Sequence, residues 1–241
     1  MTTPTPTPVA PPPERFNIAD YLLQQNAGRP DKAAFIDETG QITYGQLAER
    51  VRRAAAGLKA LYLRREERVL LLMQDSIDWP VAFLGSLYGG MVPVAINTLL
   101  TADDYAYMLE HSRAQAVFVS GAQLPALKSA MTRSDHEVQK VIVSRPLAPL
   151  EPGEVEFNAF LAAQAPLDKP APTGPDDPAF WAGACAARKA SNSTSAGCKG
   201  AAGRETMTFC TSWSDLTIAA VSVGSSAPET STACARACSS M

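Results

Sequence analysis

The chain has 241 residues, 46% apolar and 19% charged, with a formal net charge of −3. That length allows one large domain or two small ones, and the apolar share is ordinary for a globular protein. A charge so near balance gives no electrostatic footprint for nucleic acid or an anionic membrane, so neither is expected as a partner.

Residues 1–15, MTTPTPTPVAPPPER, have no basic stretch followed by an apolar core, so no secretory signal is read there. They predict a disordered, polyproline-leaning tail. From Phe16 the pattern becomes regular. FNIADYLLQQNAG predicts an amphipathic helix with Gly28 near its stop and Pro30 beyond it. KAAFID and QITY are short strands around a turn at residues 38–40. Thr43 is read as the N-cap of a long helix whose apolar positions Leu47, Val51, Ala54, Ala55, Leu58 and Leu61 recur at helical spacing.

Arg68 to Gln74, RVLLLMQ, is a strand-length run apolar on both faces, as in a buried parallel sheet. A helix is then read from Ser76. Residues 79–96, WPVAFLGSLYGGMVPVAI, carry no charge and approach the length of a membrane span. Pro80, Gly85, Gly89, Gly90 and Pro93 break that run into a buried helix, a Gly-Gly turn and a short buried strand. Thr101 caps a helix with Asp103 and Asp104 in its first turn, where the dipole favours negative charge. QAVFVS, GAQLPALKSAM and EVQKVIVS continue as strand, helix and strand. The alternation predicts an α/β fold, a mainly parallel sheet flanked by helices, over residues 16–162.

Residues 163–181 hold a proline-rich linker and lead-in, with five prolines between 163 and 178. The composition then changes. Of the 60 residues in 182–241, 42 are Ala, Ser, Thr, Gly or Cys and only five are Leu, Ile, Val or Phe. So little large apolar surface predicts a poorly structured tail, with Leu216–Val223 its one candidate element. All five cysteines, Cys185, Cys198, Cys210, Cys234 and Cys238, lie in this segment. The break reads as a reading-frame shift or a misjoined coding sequence.

Three stretches of the front part carry a family resemblance. ITYGQLAERVRRAAAGL has a Thr-Tyr pair followed by Gly-x-Leu at the start of a long helix. FLGSLYGGMVPVAINTLLTADDYAYMLEHSRAQAVFVS has a Gly-x-Val-Pro-Val turn after a buried helix, and SDHEVQKVIVS, FLAAQAPL and DDPAFW follow. Over residues 16 to 181 the chain resembles the N-terminal portion of the AMP-forming adenylating superfamily, in particular the benzoate/4-hydroxybenzoate CoA ligases. The resemblance implies a cytoplasmic acid–thiol ligase that uses ATP, Mg2+ and coenzyme A on a small aromatic carboxylate. A carboxylate is a poor electrophile, so ATP converts it to an acyl-adenylate, whose carbonyl the coenzyme A thiolate then attacks. The family needs a glycine- and hydroxyl-rich phosphate loop, an acid on the ribose and a lysine from a mobile C-terminal domain.

The chain departs from that pattern after Trp181. The family's loop, Ser-Ser-Gly-Ser-Thr-Gly-x-Pro-Lys-Gly, follows a buried apolar strand and puts its lysine roughly ten residues after the tryptophan. Here Lys199 lies 18 residues on, and no apolar strand is read in AGACAARKASN. Asn192 stands where a glycine precedes Ser193-Thr194, and Cys198 stands where a proline precedes Lys199. Ser193, Thr194, Lys199 and Gly200 are the cofactor-binding candidates, read as a degenerate phosphate loop. No residue is assigned a catalytic role, and the expectation is an N-terminal fragment without ligase activity. The alternative is a non-catalytic binding or protein-interaction module on the same subdomain.

Other candidates have plainer accounts. Cys234 and Cys238 fall short of the four ligands of structural zinc, so no metal is expected. His111 ends a helix and His136 lies in a polar loop, neither beside a nucleophile in the sequence. RREER, residues 64–68, is a solvated turn whose two glutamates offset most of its charge.

Overall fold

Asn17, with extended backbone, begins the first helix, α1 (Ile18–Gln25), and its Oδ1 accepts the Asp20 N–H at 3.1 Å. The structure, a computed structural model, describes residues 13–174, 177–178 and 181–182. Residues 1–12 of the N-terminal tail and all of the 182–241 segment after Ala182 therefore lie outside the described residues. An antiparallel hairpin of β1 (Ala33–Asp37) and β2 (Gly40–Thr43) follows α1. Thr43 then caps α2 (Tyr44–Ala60) through a complete capping box with Gln46. Leu47, Val51, Ala54, Ala55 and Leu58 form its buried stripe, as their spacing predicts. The helix ends in a Schellman turn: the Tyr62 N–H donates to Lys59 O and the Leu63 N–H to Leu58 O, with Tyr62 at φ 62°.

The remaining elements alternate. They are β3 (Arg68–Leu72), α3 (Asp78–Tyr88), β4 (Val92–Ala95), α4 (Ala102–Ser112), β5 (Ala116–Ser120), α5 (Leu124–Met131) and β6 (Lys140–Ser144). After them come β7 (Glu154–Glu156), α6 (Phe157–Ala162) and β8 (Trp181–Ala182). Six strands form one sheet in the order β7-β6-β5-β3-β4-β8, and every neighbouring pair is parallel. This is the α/β architecture that the alternation predicts.

The sheet separates two cores. Val69 and Leu71 of β3 and Phe118 of β5 face one side, where α1, α2, α3 and α6 supply Leu23, Leu58, Tyr88 and Phe157. Leu70, Leu72, Val117 and Val119 face the other, under Met108 and Leu109 of α4 and Leu127 of α5. Because successive strand residues point to opposite faces, strands apolar at every position serve both. Each such fully buried side chain contributes about 1.5–3 kcal/mol over its exposed state.

Three details differ from the sequence reading. The third helix starts at Asp78 rather than at Ser76, whose carbonyl accepts the Trp79 N–H in a preceding turn. The missing cap comes from the distant hairpin, as described below. No strand was anticipated after Trp181, yet Val94 pairs with Trp181 and Ala95 with Ala182, since the backbone supplies ladder bonds whatever the side chains. Finally, the proline-rich stretch lies on the helices: the Leu167 N–H donates to Arg52 O, and the Ala171 N–H to Tyr88 O. Among the described residues no helix is long and apolar enough to cross a membrane.

Candidate functional site at the carboxyl rim of the sheet

Parallel strands bring all their carboxyl ends to one rim. From β3 the chain moves outward to β4 on one side and then, across β3, to β5 on the other, so β3 and β5 flank a topological switch point. Ligands of doubly wound sheets commonly bind in the crevice there.

In this protein the strand ends on that rim are tied together by its own polar groups. The Gln74 N–H, just past β3, donates to Ser120 Oγ at the end of β5 at 2.9 Å. Ser144 Oγ, ending β6, donates to Asp78 Oδ2 at 2.7 Å. Arg50 Nη2 of α2 donates to Asp78 Oδ1 at 2.7 Å and to Asn158 Oδ1 at 3.0 Å. Asp78 is buried with both oxygens paired, the condition that makes a buried carboxylate tolerable.

The start of α3 is occupied in the same way. Asp37, ending β1, accepts the Ile77 N–H on Oδ2 at 2.9 Å, and Thr39 donates to Oδ1 from both its N–H and its hydroxyl. Arg145, at φ 53°, donates to the same carboxylate. The Ile77 N–H, then the Thr39 hydroxyl, hold the Asp37 carboxyl far below the usual carboxylate range, against a smaller opposing effect of burial. An acidic side chain thus holds the place at a helix N-terminus that a phosphate would take. Across the β3, β5 and β6 ends these bonds tie the rim into a structural clamp, in which Ser144 and Asp78 hold each other and Asp78 is also paired to Arg50.

Past β4, Asn97 turns the chain by accepting the Leu99 N–H on Oδ1 and the Tyr105 hydroxyl on its carbonyl, and Leu99 is left exposed. Because β8 runs parallel to β4, the chain leaves Ala182 on this same rim. The candidates Ser193, Thr194, Lys199 and Gly200 follow that point in sequence and lie outside the described residues, as do Cys234 and Cys238.

The other sequence candidates have structural partners. His111, in the last turn of α4, packs its ring 5.2 Å from that of Tyr107, and His136 Nδ1 accepts the Val138 N–H. Asp104 completes the capping box with Thr101, and Asp103 pairs with Arg133 at 2.6 Å. Arg64 and Glu67 close their turn on each other at 2.9 Å. Among the described residues no three His, Cys, Asp or Glu side chains assemble as a metal site. An open depression of about 440 Å³ between Lys59, Tyr62, Arg65, Gly89 and Pro172 lies at the opposite, amino-terminal rim.

Sequence reasoning missed Asp37, Asp78, Ser120, Ser144 and Arg145. A usable signal existed for two of them, since VFVS and VIVS each end an apolar strand in serine. The Asp37–Arg145 pair spans 108 residues and leaves no local trace.

Comparison with known proteins bears on this rim. The family described as AMP-binding enzyme matches residues 22–182, ending where β8 ends. A benzoate–CoA ligase of Thauera aromatica is 42% identical over 172 residues, covering 70% of this chain and 32% of that protein. A 4-hydroxybenzoate–CoA/benzoate–CoA ligase of Rhodopseudomonas palustris is 36% identical over 168 residues, 69% of this chain and 30% of its own. The crystal structure of a benzoate CoA ligase from Burkholderia xenovorans LB400 superposes with a TM-score of 0.63 at 49% identity, over 69% of this chain and 32% of that one. The chain spans about a third of the length of the curated relatives it matches. It belongs to the AMP-binding enzyme family, and its matched residues correspond to the N-terminal portion of the benzoate- and hydroxybenzoate-CoA ligases.

Proposed function

We propose that this chain derives from a cytoplasmic enzyme joining a benzoate-like carboxylate to coenzyme A through an acyl-adenylate, and that residues 16–182 are its scaffold rather than its catalytic machinery. The observation that carries this reading is the seating of β8: Trp181–Ala182 pair in parallel with β4 and direct the chain onto the carboxyl rim. That is where a loop presenting backbone N–H groups to ATP phosphates is useful.

The described residues do not themselves fit the nucleotide. The Ile77 N–H at the start of α3 and the Asp78 carboxylate, groups that could meet phosphate or Mg2+, are already paired with Asp37, Ser144 and Arg50. No chemical step is therefore assigned to them. Phosphate binding falls instead to the chain beyond Ala182, where Ser193, Thr194, Lys199 and Gly200 form a degenerate loop. Its altered spacing and the cysteine before Lys199 point to a chain that does not turn over by itself. The same reading puts the boundary of the family-related unit at about residue 182.

The test is pyrophosphate release from purified full-length chain with ATP, Mg2+ and benzoate. The expected result is release at the no-enzyme background. Turnover comparable to an intact ligase, abolished by Lys199→Ala, would overturn the assignment.

A further inference from the structure

Asn17 does two jobs with one side chain. Its Oδ1 caps α1, while its Nδ2 donates to Leu87 O at 2.9 Å and to Tyr88 O and Ala171 O at 3.4 Å each. The first two carbonyls end α3 and the third belongs to the proline-rich strap. Asn17 is buried, with 9% exposure, so these donors have little competition from water. Aspartate or serine would cap α1 as well, but neither offers an NH2 group to three carbonyls.

Around this amide the chain is zipped. The Phe16 N–H donates to Thr173 O at 2.7 Å, and Thr173 Oγ1 returns a bond to Phe16 O at 2.7 Å. The Ala171 N–H donates to Tyr88 O at 2.8 Å, and Arg65 Nη1 donates to Pro172 O at 3.1 Å. Gly90, at φ +82°, leaves room for the strap: a Cβ there would come within 2.6 Å of Ala171 Cβ. Eight residues after Thr173 the chain enters the sheet at Trp181, as a strand of two residues with four-residue β4 as its only described neighbour. So short a pairing has little hold of its own, whereas the strap before it is fixed at four of its residues, Leu167, Ala171, Pro172 and Thr173.

We propose that Asn17 is a positioning residue: by locking the 167–174 strap to the end of α3 it sets the register in which β8 joins β4, and so where the chain is delivered onto the carboxyl rim. The proposal rests on the reading of that rim given above, but its test does not depend on turnover.

The experiment is residue-resolved hydrogen exchange on the full-length chain. Asn17→Ser keeps a helix cap and removes the amide donors. The expected result is exchange about tenfold faster at Phe16, Ala171 and Trp181–Ala182, with β3 and β5 amides changed by less than about twofold. Asn17→Asp supplies a pH signature that a general loss of packing would not. Its neutral acid retains one donor, so strap protection, measured against the unmodified chain at the same pH, is present at acidic pH and lost as the carboxyl ionises. Should Asn17→Ser fail to fold, Thr173→Val removes only the outer hydroxyl bond and is expected to loosen the same amides alone. Uniform acceleration across strap and sheet, an unchanged strap, or a pH-independent Asn17→Asp would each overturn the proposal. A negative pyrophosphate assay bears on catalysis and leaves these measurements interpretable.

Discussion

Tyr62 occupies the position just past the C-cap of α2, at φ 62°, where glycine is the usual residue. It is 90% exposed, so little packing offsets the left-handed backbone. Tyr62→Gly is expected to stabilise the chain by about 0.5–1 kcal/mol, the steric relief exceeding the entropy glycine adds to the unfolded chain. A higher denaturant midpoint at unchanged slope is the check. Asp37 governs the acid side. Its folded-state carboxyl is lowered by the Ile77 and Thr39 donors, so the stabilisation it gives is fully present above the ordinary carboxylate pKa of about 4. It drains as pH falls below that value toward the depressed one. In Asp37→Asn the decline of the urea midpoint between about pH 4 and pH 2 should be shallower than in the unmodified chain. At this scale legibility depends on sequence distance. The caps at Thr43 and Thr101 are readable because each partner lies three residues away, whereas the Asp37–Arg145 and Asp78–Ser144 bonds exist only once the sheet has formed.

Helices α2 and α3 meet through small residues. A Cβ on Gly85 would come within 2.5 Å of Ala54 Cβ and 3.3 Å of the Val51 carbonyl, so the two backbones approach as closely as glycine permits. Gly85→Ala improves helix propensity by up to about 1 kcal/mol, but overpacking of this kind costs about 1–3 kcal/mol. The expected outcome is net destabilisation, read as a lower thermal midpoint. A higher midpoint would mean that the helices separate without loss. Among the elements, β3, β5 and β6 are legible because continuous apolar runs of strand length have few other uses. The β7–α6 unit is not: Glu154–Glu156 has one apolar residue, and Phe157–Ala162 is too short to show a period. It is long-range contact, such as that of Phe157 and Phe160 with Phe118 and of β7 with β6, that marks the segment as an element.

For the whole molecule, the alternation of strands and helices specified a parallel α/β sheet but not the order of its strands. That order follows from which face each crossover covers: α3 on one side of the sheet, α4 and α5 on the other. The candidate site was legible in part. The sequence after Trp181 marks the point of departure from the family, yet the seating of Trp181–Ala182 beside β4 depends on the strap that lies on the helices. The strap in turn depends on Asn17, more than 150 residues away in sequence. Phe16 and Thr173 are clasped to each other, so the place where the chain enters the folded unit adjoins the strap that precedes β8. A pull on the polypeptide from the amino side would therefore load a handful of clasp bonds before any force reached the parallel strands, whereas a pull from the carboxyl side would first load the two-residue β8.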